Sequence, residues 1–171
     1  MPDDRTPPLA RDELVSAAGE REVLEAFLDL YRDIVVAKMA GLSREDACRR
    51  LVPSATTLAG LVKHLTSMER EWFGEVLRQL PPGEVVPAPG DGWVVEPGET
   101  LEELVADYRR ACEDSRAVAA ALALNDSVPS ERLGRVSLRW VYVHMIEETA
   151  RHAGHADILR EQTDGAIGFD G

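Results

Sequence analysis

The sequence predicts an all-α protein, a four-helix bundle with one long loop between its second and third helices. In four long segments, apolar residues recur at spacings of three and four, which is the period of an amphipathic helix. No segment alternates between apolar and polar residues for long enough to predict a sheet. The chain has 171 residues, enough for one hydrophobic core and too few for two. We therefore expect one domain over residues 21–165, after a partly irregular segment 1–20 and before a tail 166–171.

The first helix is predicted over residues 21–40, and Gly41 is expected to end it. Its apolar residues at helical spacing are Val23, Phe27, Leu30, Ile34 and Val35. The next segment predicts a short connecting helix, because Ser43 and Asp46 have the spacing of a capping box with aspartate in place of the usual glutamate.

The second helix is predicted over residues 56–80, because Pro81 and Pro82 cannot continue it. Its expected buried stripe consists of Leu58, Leu61, Leu65, Met68, Trp72 and Val76. Glycine and proline recur too often in residues 81–99 for a helix, so we expect a long loop there, with a short extended piece at residues 93–95. Loops of this length are often functional, and this one could cover one end of the fold.

The third helix begins at a recognisable capping box. Thr100 and Glu103 have the required spacing, and the helix is predicted to extend to Leu124. The segment NDSVPSERLG that follows is interpreted as the turn before the fourth helix.

The charge of the chain limits its partners. A net charge of −12 and a pI near 4.8 exclude a nucleic acid or an anionic membrane surface as the main partner, because both would be repelled. The amino-terminal segment is acidic, contains proline and has no apolar core, so no signal peptide is predicted and a cytoplasmic location is expected. Cys48 and Cys112 form no CxxC motif, so in a reducing compartment we expect two free, buried thiols.

The fourth helix, predicted over residues 137–163, has the most informative pattern. At about 100° per residue, its buried stripe consists of Leu138, Val141, Met145, Thr149, Ala156 and Leu159. Glu148 and His152 fall about 20° to either side of this stripe and therefore point inward. His144 and His155 lie roughly 40 to 60° from the direction of the stripe, nearer its edge.

His64 lies on the flank of the buried stripe of the second helix, so one carboxylate and two imidazoles are predicted to face the same core. An unpaired buried charge is strongly destabilising. A divalent cation would satisfy the three side chains at once, because the spacing of four residues lets Glu148 and His152 reach one ion from a single helix.

Each of these residues also has an ordinary structural interpretation. Two side chains four residues apart on a helix more often form a solvated surface pair, as Glu147 and Arg151 are expected to do. His144 is more often a histidine at the edge of a helix face. For His155, two interpretations are open: a histidine at the edge of a helix face, or a residue that lies beside the metal or the substrate.

The segments TTLAGLVKHLTSMEREWF, TLEELVADYRRACEDSR and VHMIEETARHAGHADILRE resemble the DinB-like superfamily, in its DUF664-type branch, and the resemblance covers residues 27–165. It implies an up-down-down-up four-helix bundle with a divalent metal near one end, bound by His64, Glu148 and His152. Glutamate at the first position of the last pair is similar to the metal-binding domain of mycothiol-dependent maleylpyruvate isomerases, where two histidines and a glutamate bind zinc. Zinc is therefore the expected metal, and nickel or another divalent ion is compatible.

The isomerases have a further carboxyl-terminal domain that contributes to their active site, and this sequence ends soon after the fourth helix, so their reaction is not expected here. The resemblance implies instead a transferase that uses a low-molecular-weight thiol such as mycothiol as co-substrate. A fourth metal position would be open for water or substrate. A metal-dependent hydrolase and a non-catalytic, metal-stabilised bundle that binds a ligand stay open as alternatives.

Residues around the metal ligands are candidates for supporting roles. His155, His144 and Tyr142 are the candidate catalytic residues, and Trp72 is the candidate substrate-binding residue. The expected partners are a small-molecule substrate and a small thiol, with neither nucleic acid nor membrane, and the resemblance allows a homodimer.

Overall fold

The computed structural model describes residues 9–80 and 92–168 of the chain. These residues are mostly helical, with one small two-stranded sheet. The elements in chain order are α1 (Arg11–Leu14), α2 (Glu20–Ala37), α3 (Arg44–Ala47), α4 (Leu58–Glu69), a π-helical segment (Arg70–Leu77), α5 (Leu101–Ala120), β1 (Ser127–Ser130), β2 (Gly134–Ser137) and α6 (Leu138–Asp164). The predicted helical class is confirmed, and none of the helices in the described ranges is long and apolar enough to cross a membrane.

Four helices start directly after a side chain that caps them. The caps are Ser43, Thr57, Thr100 and Ser137, each of which accepts a hydrogen bond from a backbone N–H in the first turn of its helix. At Thr100 the bond is reciprocal, because the backbone N–H of Thr100 donates to the Glu103 carboxylate at 3.0 Å. The capping box predicted for the third helix is confirmed.

The helices α2 and α5 end earlier than the predicted limits at residue 40 and Leu124. From Met39 and from Ala121 onward, the backbone bonds join groups three residues apart. The Ala40 N–H donates to the Ala37 carbonyl at 3.0 Å, and the Leu122 N–H donates to the Ala119 carbonyl at 3.1 Å. These tighter turns continue the apolar periodicity past the end of the α-helix, which is why the sequence predicted longer helices.

The second predicted helix is not one regular α-helix, because α4 continues as the π-helical segment. The Arg78 N–H donates to the Phe73 carbonyl at 3.2 Å, five residues back. The wider turn moves the buried face by one residue. Phe73 and Leu77 are buried, whereas Trp72 and Val76, which the α-helical period placed in the stripe, are only half-buried. The prediction for the stripe is confirmed as far as Leu65, and beyond it Met68, Trp72 and Val76 are only partly buried, packed against the core.

The segment interpreted as a turn before the fourth helix is a β-hairpin, and the prediction that the chain contains no sheet is wrong. β1 and β2 pair antiparallel, with Val128 opposite Val136. Gly134 has a positive φ of 73°, which glycine adopts without strain. Each strand has only four residues, too few for an alternating pattern to be recognised in the sequence. No strand occurs at residues 93–95, and residues 81–91 of the predicted loop lie outside the described part.

The long helices pack on one another through apolar faces. α2 packs on α6, α4 packs on α5 and on α6, and the π-helical segment packs on α5. One apolar cluster in the described residues includes Leu61 and Leu65, and another includes Leu28 and Leu138. The up-down-down-up order of the four long helices stays a prediction.

Both cysteines are free thiols, as expected, although only Cys112 is fully buried and Cys48 is half-buried. Burial, together with the negative charge of Glu69, raises the pKa of Cys112 to about 12. A thiol with such a pKa stays protonated at neutral pH, so Cys112 is a packing residue and no nucleophile.

A buried ion pair joins α2 to the end of α4. The guanidinium of Arg32 donates to both carboxylate oxygens of Glu69, at 2.8 and 2.5 Å, and both side chains are nearly inaccessible to solvent. Arg32 also donates to Asp29 at 2.9 Å. Removal of one partner would leave the other as an unpaired charge in the core.

We expect the substitution Glu69→Ala to lower the free energy of unfolding by about 3–5 kcal/mol, because it leaves Arg32 buried without its main partner. Urea unfolding followed by circular dichroism measures this change. Glu20→Ala, which removes the exposed partner of Arg139, is the control and should leave the unfolding midpoint nearly unchanged. Equal losses in the two variants would contradict this role of the buried pair.

Candidate metal centre

Three potential metal ligands from two helices meet at one point. His64 lies on α4, and Glu148 and His152 lie one turn apart on α6. The Nε2 atom of His64 lies 3.0 Å from Oε1 of Glu148, and the Nε2 atom of His152 lies 3.1 Å from the same oxygen. One ligand atom from each residue lies within 4.8 Å of the other two. The structure therefore brings together the three side chains that the sequence singled out.

The surroundings favour the protonation states that bind a cation. Glu148 and His152 are buried, with 8% and 7% of their surface exposed. Burial opposes the charge of Glu148, but the hydrogen bonds and charges of His64 and His152 outweigh it and hold the pKa of Glu148 below its usual range. Burial lowers the pKa of His152 despite the attraction of Glu148. A carboxylate and a neutral imidazole are the forms in which these groups act as ligands.

The ligand set fits a divalent metal ion. Two imidazole nitrogens and one carboxylate oxygen are the ligands of many zinc sites that keep a fourth position open. Here both Nε2 atoms point at the same carboxylate oxygen, so an ion placed among the three atoms would replace shared hydrogen bonds with direct coordination. Because all three residues lie on regular α-helices, the backbone already fixes their spacing.

Arg151 binds the Glu148 carboxylate from the side that faces away from the two imidazoles. Its guanidinium donates to Oε2 of Glu148 at 3.1 Å, which leaves Oε1 directed at the two imidazoles. Arg151 also donates to Glu147, and both of these side chains are about half exposed. The predicted surface pair of Glu147 and Arg151 is confirmed, and the additional contact with Glu148 was not predicted.

His155 lies next to His152 on the exposed side of the site. Its Nδ1 atom is 3.3 Å from Nδ1 of His152, on the opposite side of the His152 ring from Nε2. A partner at the second ring nitrogen fixes the tautomer and orientation of a ligand imidazole. His155 is thus in a position to orient His152.

Trp93 forms a wall of the site that the sequence did not reveal. Its indole stacks on the imidazole of His64, with ring centroids 4.2 Å apart and planes inclined by 14°. The same indole meets His152 edge-on, with centroids 5.7 Å apart. The loop in which Trp93 lies was expected to cover one end of the fold, and its described part packs over the proposed ligands. A tryptophan in a segment rich in glycine and proline was the only available signal in the sequence.

Gly60 and Lys63 bring this loop onto α4. A Cβ atom at position 60 would lie 2.6 Å from the Trp93 carbonyl oxygen and 2.9 Å from Oγ1 of Thr57, so only glycine allows this approach. The buried ammonium of Lys63 donates to the Val94 carbonyl at 2.6 Å and to the Glu99 carboxylate at 2.7 Å. These contacts fix the loop immediately beside His64.

Arg44 makes a further attachment of the loop from α3. Its guanidinium donates to the carbonyl oxygens of Glu96 and Glu99, at 2.9 and 3.1 Å. The segment that carries Trp93 is therefore bonded to two helices, and the position of the indole over His64 is fixed from both.

The other candidate residues contact partners other than the three ligand atoms. His144 packs against Trp72, with ring centroids 4.5 Å apart, and stacks on Trp140 at 5.0 Å. Tyr142 faces α2, where its hydroxyl donates to Glu25 at 3.0 Å. The structure places His155 beside the proposed ligands, groups His144 with Trp72, and does not bring Tyr142 to the site.

We expect Gly60→Ala to displace Trp93 from His64, because the new methyl group would overlap the Trp93 carbonyl. In NMR spectra, the His64 ring protons should lose the ring-current shift that a stacked indole produces. Gly154→Ala is the matched control, because Gly154 lies exposed on α6 with no neighbour within 4 Å of an added Cβ. It should keep the His64 signals and stabilise the protein by about 0.5–1 kcal/mol. Unchanged His64 signals in Gly60→Ala would refute this role of Gly60.

Comparison with known proteins places the chain in a family. No curated protein and no solved structure matches it. A family model described as mycothiol-S-transferase matches residues 23–165, a range that contains His64, Glu148 and His152. The match confirms the resemblance to the DinB-like superfamily. The chain belongs to the mycothiol-S-transferase family.

Proposed function

We propose that the protein is a divalent-metal-dependent S-transferase that joins the sulfur of a low-molecular-weight thiol, mycothiol in the first instance, to an electrophilic small molecule. The observation that carries the proposal is the convergence of two imidazole nitrogens on one carboxylate oxygen, in a chain of the mycothiol-S-transferase family. Zinc is the first candidate among the metals, because the ligand set is two nitrogens and one oxygen.

The ligands in this proposal are Nε2 of His64, Nε2 of His152 and the carboxylate of Glu148. A bound divalent cation supplies a Lewis acid that lowers the pKa of a thiol held at its open position. In the transfer, the sulfur forms a bond to the electrophilic carbon, the leaving group departs with the electron pair of its bond, and the thiol proton passes to solvent. No atom is oxidised or reduced, so no redox partner is required.

The residues around the ligands have separate tasks in this proposal. Arg151 and the buried surroundings keep Glu148 directed at the imidazoles. His155 is a positioning residue that orients His152 through the contact between their Nδ1 atoms. Trp93 covers the face of His64, so the thiol and the electrophile approach from another side.

The same proposal extends to the architecture and the assembly. We take the four long helices α2, α4, α5 and α6 to follow the up-down-down-up order of the DinB-like bundle, and the molecule to act in the cytoplasm, with a homodimer as an allowed assembly. A hydrolase or a non-catalytic bundle could use the same ligands. The family match favours the thiol transferase over both.

Metal content tests the site directly. Plasma mass spectrometry of tag-free protein after dialysis against zinc should give about one equivalent of metal, since one group of three ligands is present in the described residues. His64→Ala and His152→Ala should each abolish binding, because each removes one of three ligands. His144→Ala should retain the metal and serves as the control for loss of a neighbouring histidine. A wild-type protein without metal, or equal metal in all variants, would refute the site.

Activity tests the reaction. The zinc-loaded protein should accelerate the conjugation of mycothiol to an electrophile such as para-nitrobenzyl chloride, with the thioether product identified by mass spectrometry. Removal of the metal by a chelator should return the rate to the background, and added zinc should restore it. His152→Ala should remain at the background rate even with excess zinc. A rate that is independent of the metal would contradict the proposed function.

A further inference from the structure

Three aromatic rings form a partly exposed group on the surface between α6 and the π-helical segment. We call this group, Trp72, Trp140 and His144, the aromatic subsite. The ring centroids are 5.2 Å apart for Trp72 and Trp140, 4.5 Å for Trp72 and His144, and 5.0 Å for Trp140 and His144. These distances are typical of packed aromatic rings. Trp140 is nevertheless 41% exposed, and the adjacent Val143 is 54% exposed.

The fold places these rings on the surface by means of the π-helical segment. Its wider turn buries Phe73 and leaves Trp72 half-buried, facing α6. Trp140 lies in the first turn of α6, directly after the Ser137 cap. Trp140 packs on Trp72, which lies against the apolar cluster that includes Leu28 and Leu138, so Trp140 lies at the edge of the core rather than inside it.

The aromatic subsite adjoins the proposed metal ligands. His144 precedes Glu148 by one helical turn on α6, and side chains with that spacing are neighbours. The imidazoles of His144 and His64 are both close enough to Glu71 to act on the pKa of its carboxyl group. Burial and the nearby Glu75 raise the pKa of Glu71, whereas the charges of His144 and His64 oppose this rise. A small molecule on the aromatic rings would thus lie beside the proposed ligands.

We propose that the aromatic subsite binds the electrophilic substrate, and that this substrate is a planar molecule with an aromatic or conjugated ring and no negative charge. The proposal rests on the proposed function, since it assigns a place to the second reactant of that reaction. A flat ring can add to the existing stack by edge or face contact with Trp140 and Trp72. The carboxylates of Glu71 and Glu75, and the net charge of −12, disfavour an anionic ring.

Binding of an unreactive probe tests the subsite independently of catalysis. Equilibrium dialysis of zinc-loaded protein with para-nitrotoluene should give saturable binding, and para-nitrobenzoate, which has the same ring and a negative charge, should bind more weakly. Trp140→Ala should weaken the binding of para-nitrotoluene about tenfold. Ile158→Ala removes another exposed apolar side chain of α6, about five turns from Trp140, and should bind the probe like the wild type.

Two outcomes would overturn the proposal: no saturable binding of para-nitrotoluene to the wild type, or equal binding by the wild type and Trp140→Ala. Circular dichroism and zinc content of each variant establish that the fold and the metal site are intact. The proposed function and the aromatic subsite can be refuted independently of each other. If thiol transfer is absent while probe binding depends on Trp140, the subsite stands without the reaction. If transfer occurs and Trp140→Ala binds the probe normally, the reaction stands and the subsite is refuted.

Discussion

The arrangement of this protein depends on the carboxylate of Glu148, which lies buried between α4 and α6. A carboxylate in this position needs partners, and it has one from each direction: His64 across the helix interface, His152 one turn further along α6, and Arg151 on the outside. Because the two imidazoles share one oxygen, the same geometry that gives the carboxylate its hydrogen bonds also collects three ligands for a cation. The hydrogen-bonded group around Glu148 thus contributes to the helix interface and also supplies the proposed metal ligands.

The surroundings of this centre are built by residues that look ordinary in the sequence. The chain has only two lysines, and both are buried and bonded rather than exposed. Lys63 binds the loop that carries Trp93, and Lys38 pairs with Asp157 at 2.8 Å and donates to the Gly168 carbonyl beyond α6. On the other side, the π-helical segment directs Trp72 towards α6. An irregular loop therefore covers His64, and an irregular helix carries Trp72 to the helix that bears Glu148 and His152.

The regular parts of the fold could be predicted from the sequence, and the irregular parts could not. Glu148 and His152 obey the α-helical period, so a helical projection located their inward direction correctly. The stacking of Trp93 on His64 depends on a loop contact that no local pattern encodes. The π-helical segment shifts the buried face from Trp72 to Phe73, and the segment packs against α5, a tertiary contact that the local sequence does not show. The four-residue strands of the hairpin are too short to produce an alternating pattern.

In the proposed function, the three ligands leave a metal position that accepts the sulfur of a thiol. Cobalt in place of zinc makes this position visible, because a sulfur ligand produces a charge-transfer absorption in the near ultraviolet. We predict that mycothiol added to the cobalt-loaded protein produces this absorption and saturates at one equivalent, and that a thioether analogue without a free thiol does not. A cobalt spectrum that is unchanged by mycothiol would contradict the claim and leave the metal with a structural role.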